Sequence, residues 1–329
     1  MRKIIISCLV ALLIVVMQSC GGKTNVAAEN ADTTATNTPD FKADSAYSFI
    51  QEQCAFGPRV MNSEAHEKCG TYILNKFKGY GLTVMSQKAT FKRYDGLEMP
   101  GYNIIAQLNP KAKTRILIAS HWDSRPWADN DPDSAKQKMP VMAANDGASG
   151  VAVMLELARL LKSEKLNIGI DFVCFDAEDV GVPQWEKNIK DDENSWCLGA
   201  QYWARHPHAT GIKFGILLDM VGGQGSHFYR EGYSMRYASG VVDDVWQASK
   251  TAGFADFFSD ENGGLITDDH LPVNRIAKIP MIDIIPYYPT GDSGFGPTWH
   301  TTQDTPENID PNTLKAVGQT LLQLIYNYK

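Results

Sequence analysis

Apolar residues gather along this chain in two kinds of pattern. Four short runs rich in β-branched and aliphatic side chains stand out: RILIAS (115–120), IDFVCF (170–175), FGILLDM (214–220) and IPMIDIIPY (279–287). They have strand length and little polar alternation, as strands buried on both faces do. Helical spacing fills the intervals, over 148–163, roughly 195–206 and 239–252, with a final helix from Pro311 to about Tyr328. Strand alternating with helix predicts one α/β domain, a mixed and mainly parallel central sheet flanked by helices on both faces. In such sheets ligands collect at the carboxyl ends of the strands.

The polar residues at those strand ends change the picture. His121-Trp122-Asp123-Ser124 follows the first run, Asp176-Ala177-Glu178-Asp179 follows the second, and Asp219 ends the third. A helix pattern opens in AANDGASG, with Asp146 at its mouth. Alone, Asp146 reads as a helix cap, Asp219 as a turn residue, and Asp268-Asp269 before His270-Leu271-Pro272 as caps of a short helix. Brought to one rim, however, these carboxylates would repel one another unless a cation or shared protons stabilised them. Arg125 is the one basic residue beside these strand ends, so a bound metal is the economical explanation.

Both the beginning of the chain and its charge narrow the choice of setting. MRKIIISCLVALLIVVMQSC has Arg2 and Lys3, an apolar run and then small or polar residues, the order of a secretory signal peptide. The run is too short for a spanning helix. Its ending, Ser19-Cys20-Gly21-Gly22, resembles the lipobox of bacterial lipoproteins, which makes Cys20 the expected lipidation site. The expected division is a signal peptide over 1–19, a flexible tether over 20–43 and a catalytic domain over 44–329. That implies a lipid-anchored protein of the bacterial cell envelope facing the periplasm, touching the membrane through its anchor only. Removing residues 1–19 takes away two basic residues and no acid, so the formal charge moves from −7 to −9. This excludes nucleic acid as a partner and leaves no basic patch for anionic lipid. Cys54, Cys69, Cys174 and Cys197 remain; export makes a Cys54–Cys69 disulfide possible, and no zinc-type cysteine spacing is present. His206 and His208, in ARHPHATG, have no local carboxylates and read as surface residues.

SHWDS, ANDGASGVAVMLELAR, FDAED, LLDM, TDDHLP and WHTTQDTPENID fall in the order and rough spacing of the zinc aminopeptidase and glutaminyl cyclase superfamily. From about residue 44 onward the chain resembles glutaminyl cyclases most. The resemblance implies one zinc held by Asp146, Asp179 and His300, which leaves an open coordination position. In the family the ligating member of the acidic pair is usually Glu; here it is Asp179. The resemblance further implies Glu178 as general acid/base, Asp219 and Asp268 as hydrogen-bonded acids beside it, and Trp299 and Phe295 as an aromatic wall. Trp185 and Trp196, in the loop DVGVPQWEKNIKDDENSW, are the further substrate-binding candidates. The implied reaction closes an N-terminal glutamine of peptides and exported proteins to pyroglutamate, releasing ammonia. A two-zinc aminopeptidase is the competing expectation, with His121 and Asp219 at the second metal and Asp146 bridging. A solute-binding lipoprotein is the third, but it leaves Glu178 without a task. Nothing in the sequence calls for self-association, so a monomer is the starting expectation.

Overall fold

The computed structural model describes residues 38–291 and 293–328, so the expected signal peptide, Cys20 and nearly all of the expected tether lie outside the described residues. The elements in chain order are α1 (Ala43–Cys54), α2 (Glu64–Gly79), β1 (Thr83–Lys92), β2 (Glu98–Leu108), β3 (Arg115–His121), α3 (Ala148–Leu161), β4 (Gly169–Phe175), α4 (Leu198–Arg205), β5 (Ile212–Leu218), β6 (Phe228–Arg230), α5 (Gly232–Ala252), β7 (Phe258–Asn262), α6 (His270–Pro272), β8 (Met281–Ile284) and α7 (Pro311–Asn327).

One six-stranded sheet runs β1-β2-β4-β3-β5-β8. Its block β4, β3, β5 and β8 is parallel, and β2 and β1 extend it antiparallel at one edge. Every residue of β3 and β4 is buried, and alternate side chains feed two separate cores. Ile116, Ile118, Ile170 and Phe172 pack with residues of α1, α3, α5 and α7, whereas Leu117, Ala119, Val173 and Phe175 pack with Ala200 and Trp203 of α4. The mixed, mainly parallel sheet expected from the apolar runs is therefore present, with its helices unequally shared between the faces.

Several boundaries moved for local reasons. Cys197 takes a left-handed conformation (φ 56°), so α4 begins at Leu198. The Glu231 carboxylate accepts from the backbone N–H groups of Tyr233 and Ser234 and starts α5 at Gly232, ahead of a kink at Ala238. Phe41, inside the stretch read as tether, is 1% exposed, because a lone aromatic in a polar stretch carries no periodic signal. His208 corrects its surface reading: its side chain is 3% exposed, with Nε2 at 3.3 Å from Asp171 Oδ2. Trp203 Nε1 donates to His208 Nδ1, and Asp171 also holds Arg115. His206 stays exposed. Cys54, Cys69, Cys174 and Cys197 are buried free thiols, so the possible Cys54–Cys69 disulfide is not formed.

Candidate metal centre and active site

Loops leaving the carboxyl ends of β3, β4, β5 and β8 build most of the site, and the backbone around it is unusual. Ala143, Ala177, Cys197, Met220 and His300 all have φ between 51° and 58°. Such left-handed residues cost energy that the surrounding contacts must offset, and they concentrate at functional sites. The opening residue of α3 is instructive. Gly147 occupies the cap position and no side chain caps the helix, so Asp146 is free for other work. Its Oδ1 lies 2.9 Å from His121 Nε2, and that nitrogen is 3.2 Å from Asp219 Oδ1.

Residues given no role by the sequence aim the candidates. Both oxygens of Asp304 accept backbone hydrogen bonds, from Asn145 (2.7 Å) and Asp146 (3.0 Å). The buried Arg59 guanidinium donates to the carbonyls of Met142 and Ala143 just upstream. Asp123 accepts from the N–H groups of Glu178 (3.0 Å) and Asp179 (3.2 Å). Asp304 and Asp123 stand inside quoted motifs, so a signal existed; Arg59 lies far from any motif and had none.

Asp146, Asp179 and His300 present ligand atoms that all lie within 4.8 Å of one another. His300 Nε2 is 3.2 Å from Asp179 Oδ1 and 3.6 Å from Asp146 Oδ2. Tetrahedral zinc with bonds near 2.0–2.1 Å separates its ligands by about 3.3 Å, so the triangle is of the right size. Asp179 Oδ2 is buried without a hydrogen-bond partner, which a cation would satisfy. His300 Nδ1 faces Asp129 Oδ1 at 3.5 Å, the carboxylate support common behind metal-bound imidazoles. Arg125 grips Asp129 at 2.8 and 2.6 Å and reaches Asp179 at 3.2 Å. Burial alone would raise Asp129, but Arg125 and His300 hold its carboxyl well below the usual range. Burial would likewise suppress charge on His300, yet Asp179 and Asp129 outweigh it and shift its pKa upward. The donor set therefore fits zinc.

Beside this triangle a pocket of about 260 Å³ is lined by Glu178, Asp219, Asp268, Trp196, Phe295, Trp299 and the three ligand candidates, among others. Burial pushes Glu178 well above the ordinary carboxylate value; His121 pulls it back, and Asp179, Asp268 and Asp269 push it further. Burial and the Asp219 charge carry Asp268 up to about 7, and burial, against the opposing His121 hydrogen bond, carries Asp219 up to about 6. Asp219 and Asp268 therefore keep protons at pH values where ordinary surface acids have lost theirs. His300 is flanked by two stacked indoles, Trp299 at 3.9 Å and Trp196 at 6.2 Å between centroids, and Phe295 meets Trp299 at 4.6 Å. Trp196 approaches this closely because residue 181 is glycine: a Cβ there would lie 2.1 Å from the indole. Trp185 is not brought to the pocket; it is 37% exposed and packs edge-on against Trp127. Two further clusters adjoin the first. His121, Asp146 and Asp219 form a second trio of ligand spacing, and Glu178, Cys197 and Asp268 a third.

Comparison with known proteins agrees with this geometry. The profile of peptidase family M28 matches residues 103–325. The chain is similar to Bacteroides thetaiotaomicron glutaminyl cyclase bound to N-acetylhistamine, with 50% identity and a TM-score of 0.87 over 89% of this chain and 100% of that one. It is similar to a leucine aminopeptidase precursor from Bacteroides thetaiotaomicron VPI-5482, with 50% identity and a TM-score of 0.86 over 89% and 99%. Among curated proteins it is 28% identical over 254 residues to the glutaminyl-peptide cyclotransferase of Gloydius blomhoffii, covering 69% of this chain and 65% of that relative's length. The matched stretch carries every candidate ligand and acid described above, and the chain belongs to peptidase family M28.

Proposed function

We propose that this chain is a glutaminyl-peptide cyclotransferase that closes the N-terminal glutamine of peptides and exported proteins to pyroglutamate with release of ammonia. The observation that carries this reading is the pocket of about 260 Å³ in which one half-buried carboxylate, Glu178, faces one metal triangle under the aromatic side chains of Trp196, Phe295 and Trp299. Asp146, Asp179 and His300 would hold a single zinc. When bound, zinc supplies Lewis acidity toward the side-chain amide carbonyl. Glu178 takes a proton from the substrate α-amine as that nitrogen bonds to the side-chain carbonyl carbon, then delivers it to the amide nitrogen as the carbon–nitrogen bond breaks and ammonia leaves. Asp219 and Asp268 hold protons at the side of Glu178. The aromatic wall holds the five-membered ring-forming pose, so positioning supplies much of the rate.

Residues 44–329 would be the catalytic domain, 1–19 the signal peptide and 20–43 the tether, with Cys20 lipidated at the cell envelope and the enzyme facing the periplasm. No helix among the described residues is long and apolar enough to cross a membrane.

A two-zinc aminopeptidase is the second reading, favoured by the trio His121, Asp146 and Asp219 sharing Asp146 with the first. The chain's similarity to proteins described under both activities makes the experiment decisive. Peptides beginning with Gln, Asn and Leu are incubated with the protein while ammonia and product mass are followed, and zinc is counted per chain. Ammonia from the Gln peptide alone with one zinc supports the cyclase; free leucine with two zincs overturns it. Asn should not react, since its shorter side chain could close only a strained four-membered ring.

A further inference from the structure

We infer that Cys197 is the positioning residue for Glu178, its thiol donating a hydrogen bond to the carboxylate and sealing the rear of the site. Cys197 Sγ lies 3.3 Å from Glu178 Oε1, and among the described residues no other side chain or backbone group hydrogen-bonds that carboxylate. The backbone repeats the attachment: Cys197 N–H donates to the Glu178 carbonyl at 3.0 Å and Leu198 N–H to that of Ala177 at 3.1 Å. The left-handed turn at Cys197 that starts α4 brings both bonds to the same strip of chain. Burial, with Glu178 adding to it, keeps the thiol protonated well above its ordinary range, so sulfur acts as donor and not as a competing anion.

Behind the thiol is a second cavity of about 190 Å³, lined by Cys197, Gln201, Arg205, Leu271, Pro272 and Arg275. Cys197 itself is 1% exposed, so its side chain is the partition between that cavity and the base. A base that must serve first the α-amine and then the leaving nitrogen needs one orientation through the cycle. With Oε1 held from behind, Oε2 is left for the substrate. Truncation at Cys197 frees the carboxylate to turn and opens its back to water.

The kinetic part of this inference rests on the cyclase reading; the structural part does not. Cys197→Ala and Cys197→Ser are prepared in the full chain, loaded with zinc and checked for folding by thermal melting and metal content. A thiol is a weak donor, so losing this bond corresponds to about a three- to tenfold change in rate, no larger than an ordinary hydrogen bond gives. Cys197→Ala is expected to lower kcat by that factor with KM and zinc content unchanged, and Cys197→Ser, which keeps a donor, to recover most of it. Crystal structures of the wild-type and Ala proteins should show Glu178 in a single rotamer in the first and in several, or a different one, in the second. An Ala variant with wild-type kcat and the same Glu178 rotamer overturns the inference. Should the wild-type protein release no ammonia, the cyclase reading falls and the rotamer comparison still decides this one. Should the Ala variant fail to fold, the Ser variant with an unchanged rotamer supports it and one with a displaced carboxylate overturns it.

Discussion

The division of labour between Glu178 and Asp179 is set by what each adjacent side chain meets. Asp179 is clamped by Arg125 and faces His300, which suits it to the proposed role of metal ligand. Glu178 hydrogen-bonds a thiol and sits among buried acids, and burial raises it despite His121, which suits it to the proposed proton transfer. His300→Ala is expected to lose zinc and activity together, because a three-ligand site tolerates little loss; metal analysis of the purified variant checks this. Glu178→Gln keeps the shape and loses the acceptor. Zinc should remain, while turnover falls by about 10²–10⁴, the worth of a positioned acid/base. Steady-state rates beside zinc content separate the two behaviours. The role of Asp304 was hidden, and Asp146 stood out only through its family motif, for a common reason. Acids near helix starts are ordinary in sequence, and only the fold reveals that Gly147 is the cap residue and that Asp304 bonds the backbone ahead of α3.

At the scale of elements, α3 carries the site because it presses its first turn onto the sheet. A Cβ at Gly150 would stand 2.3 Å from Ser120 Oγ and 2.4 Å from the Leu218 carbonyl oxygen, on β3 and after the middle of β5. The carbonyl belongs to a strand inside the sheet and has little room to move. Gly150→Ala should therefore destabilise by about 1–3 kcal/mol through overpacking and weaken zinc binding by displacing Asp146. Denaturant midpoints and zinc titration would measure both. The apolar runs announced β3, β4 and β5 because strands buried on both faces need continuous hydrophobicity. β1 escaped notice for the converse reason: it is an edge strand, largely exposed, with lysines and polar side chains along it.

For the whole molecule, the gathered acids link stability to pH. Asp268 rises from the ordinary aspartate value to about 7 through burial and the Asp219 charge. Between about pH 4 and about pH 7 the folded state thus binds more protons than the unfolded chain, and stability falls as pH rises through that window. Asp268→Asn removes this contribution. With zinc kept saturating, its melting temperature should fall less between pH 5 and 8 than that of the wild type. The proposed envelope location makes a separate claim on the intact chain: Cys20→Ala should shift the protein from the membrane fraction to the soluble fraction without changing the specific activity of the folded part.

The sequence by itself determined the class of fold, where its buried strands lie along the chain and the residue types at their ends, since hydrophobic continuity and motif spacing are local properties of the chain. Its resemblance to glutaminyl cyclases also singled out Asp146, Asp179 and His300, which the fold gathers within 4.8 Å although they span more than 150 positions. Tertiary structure alone decided that Asp146 is no cap, that Trp196 enters the pocket while Trp185 stays outside, that His208 is buried on Asp171, and that a cysteine backs the base. Those outcomes depend on which loops meet across the sheet edge, and contacts between distant segments leave no periodicity in the chain to read.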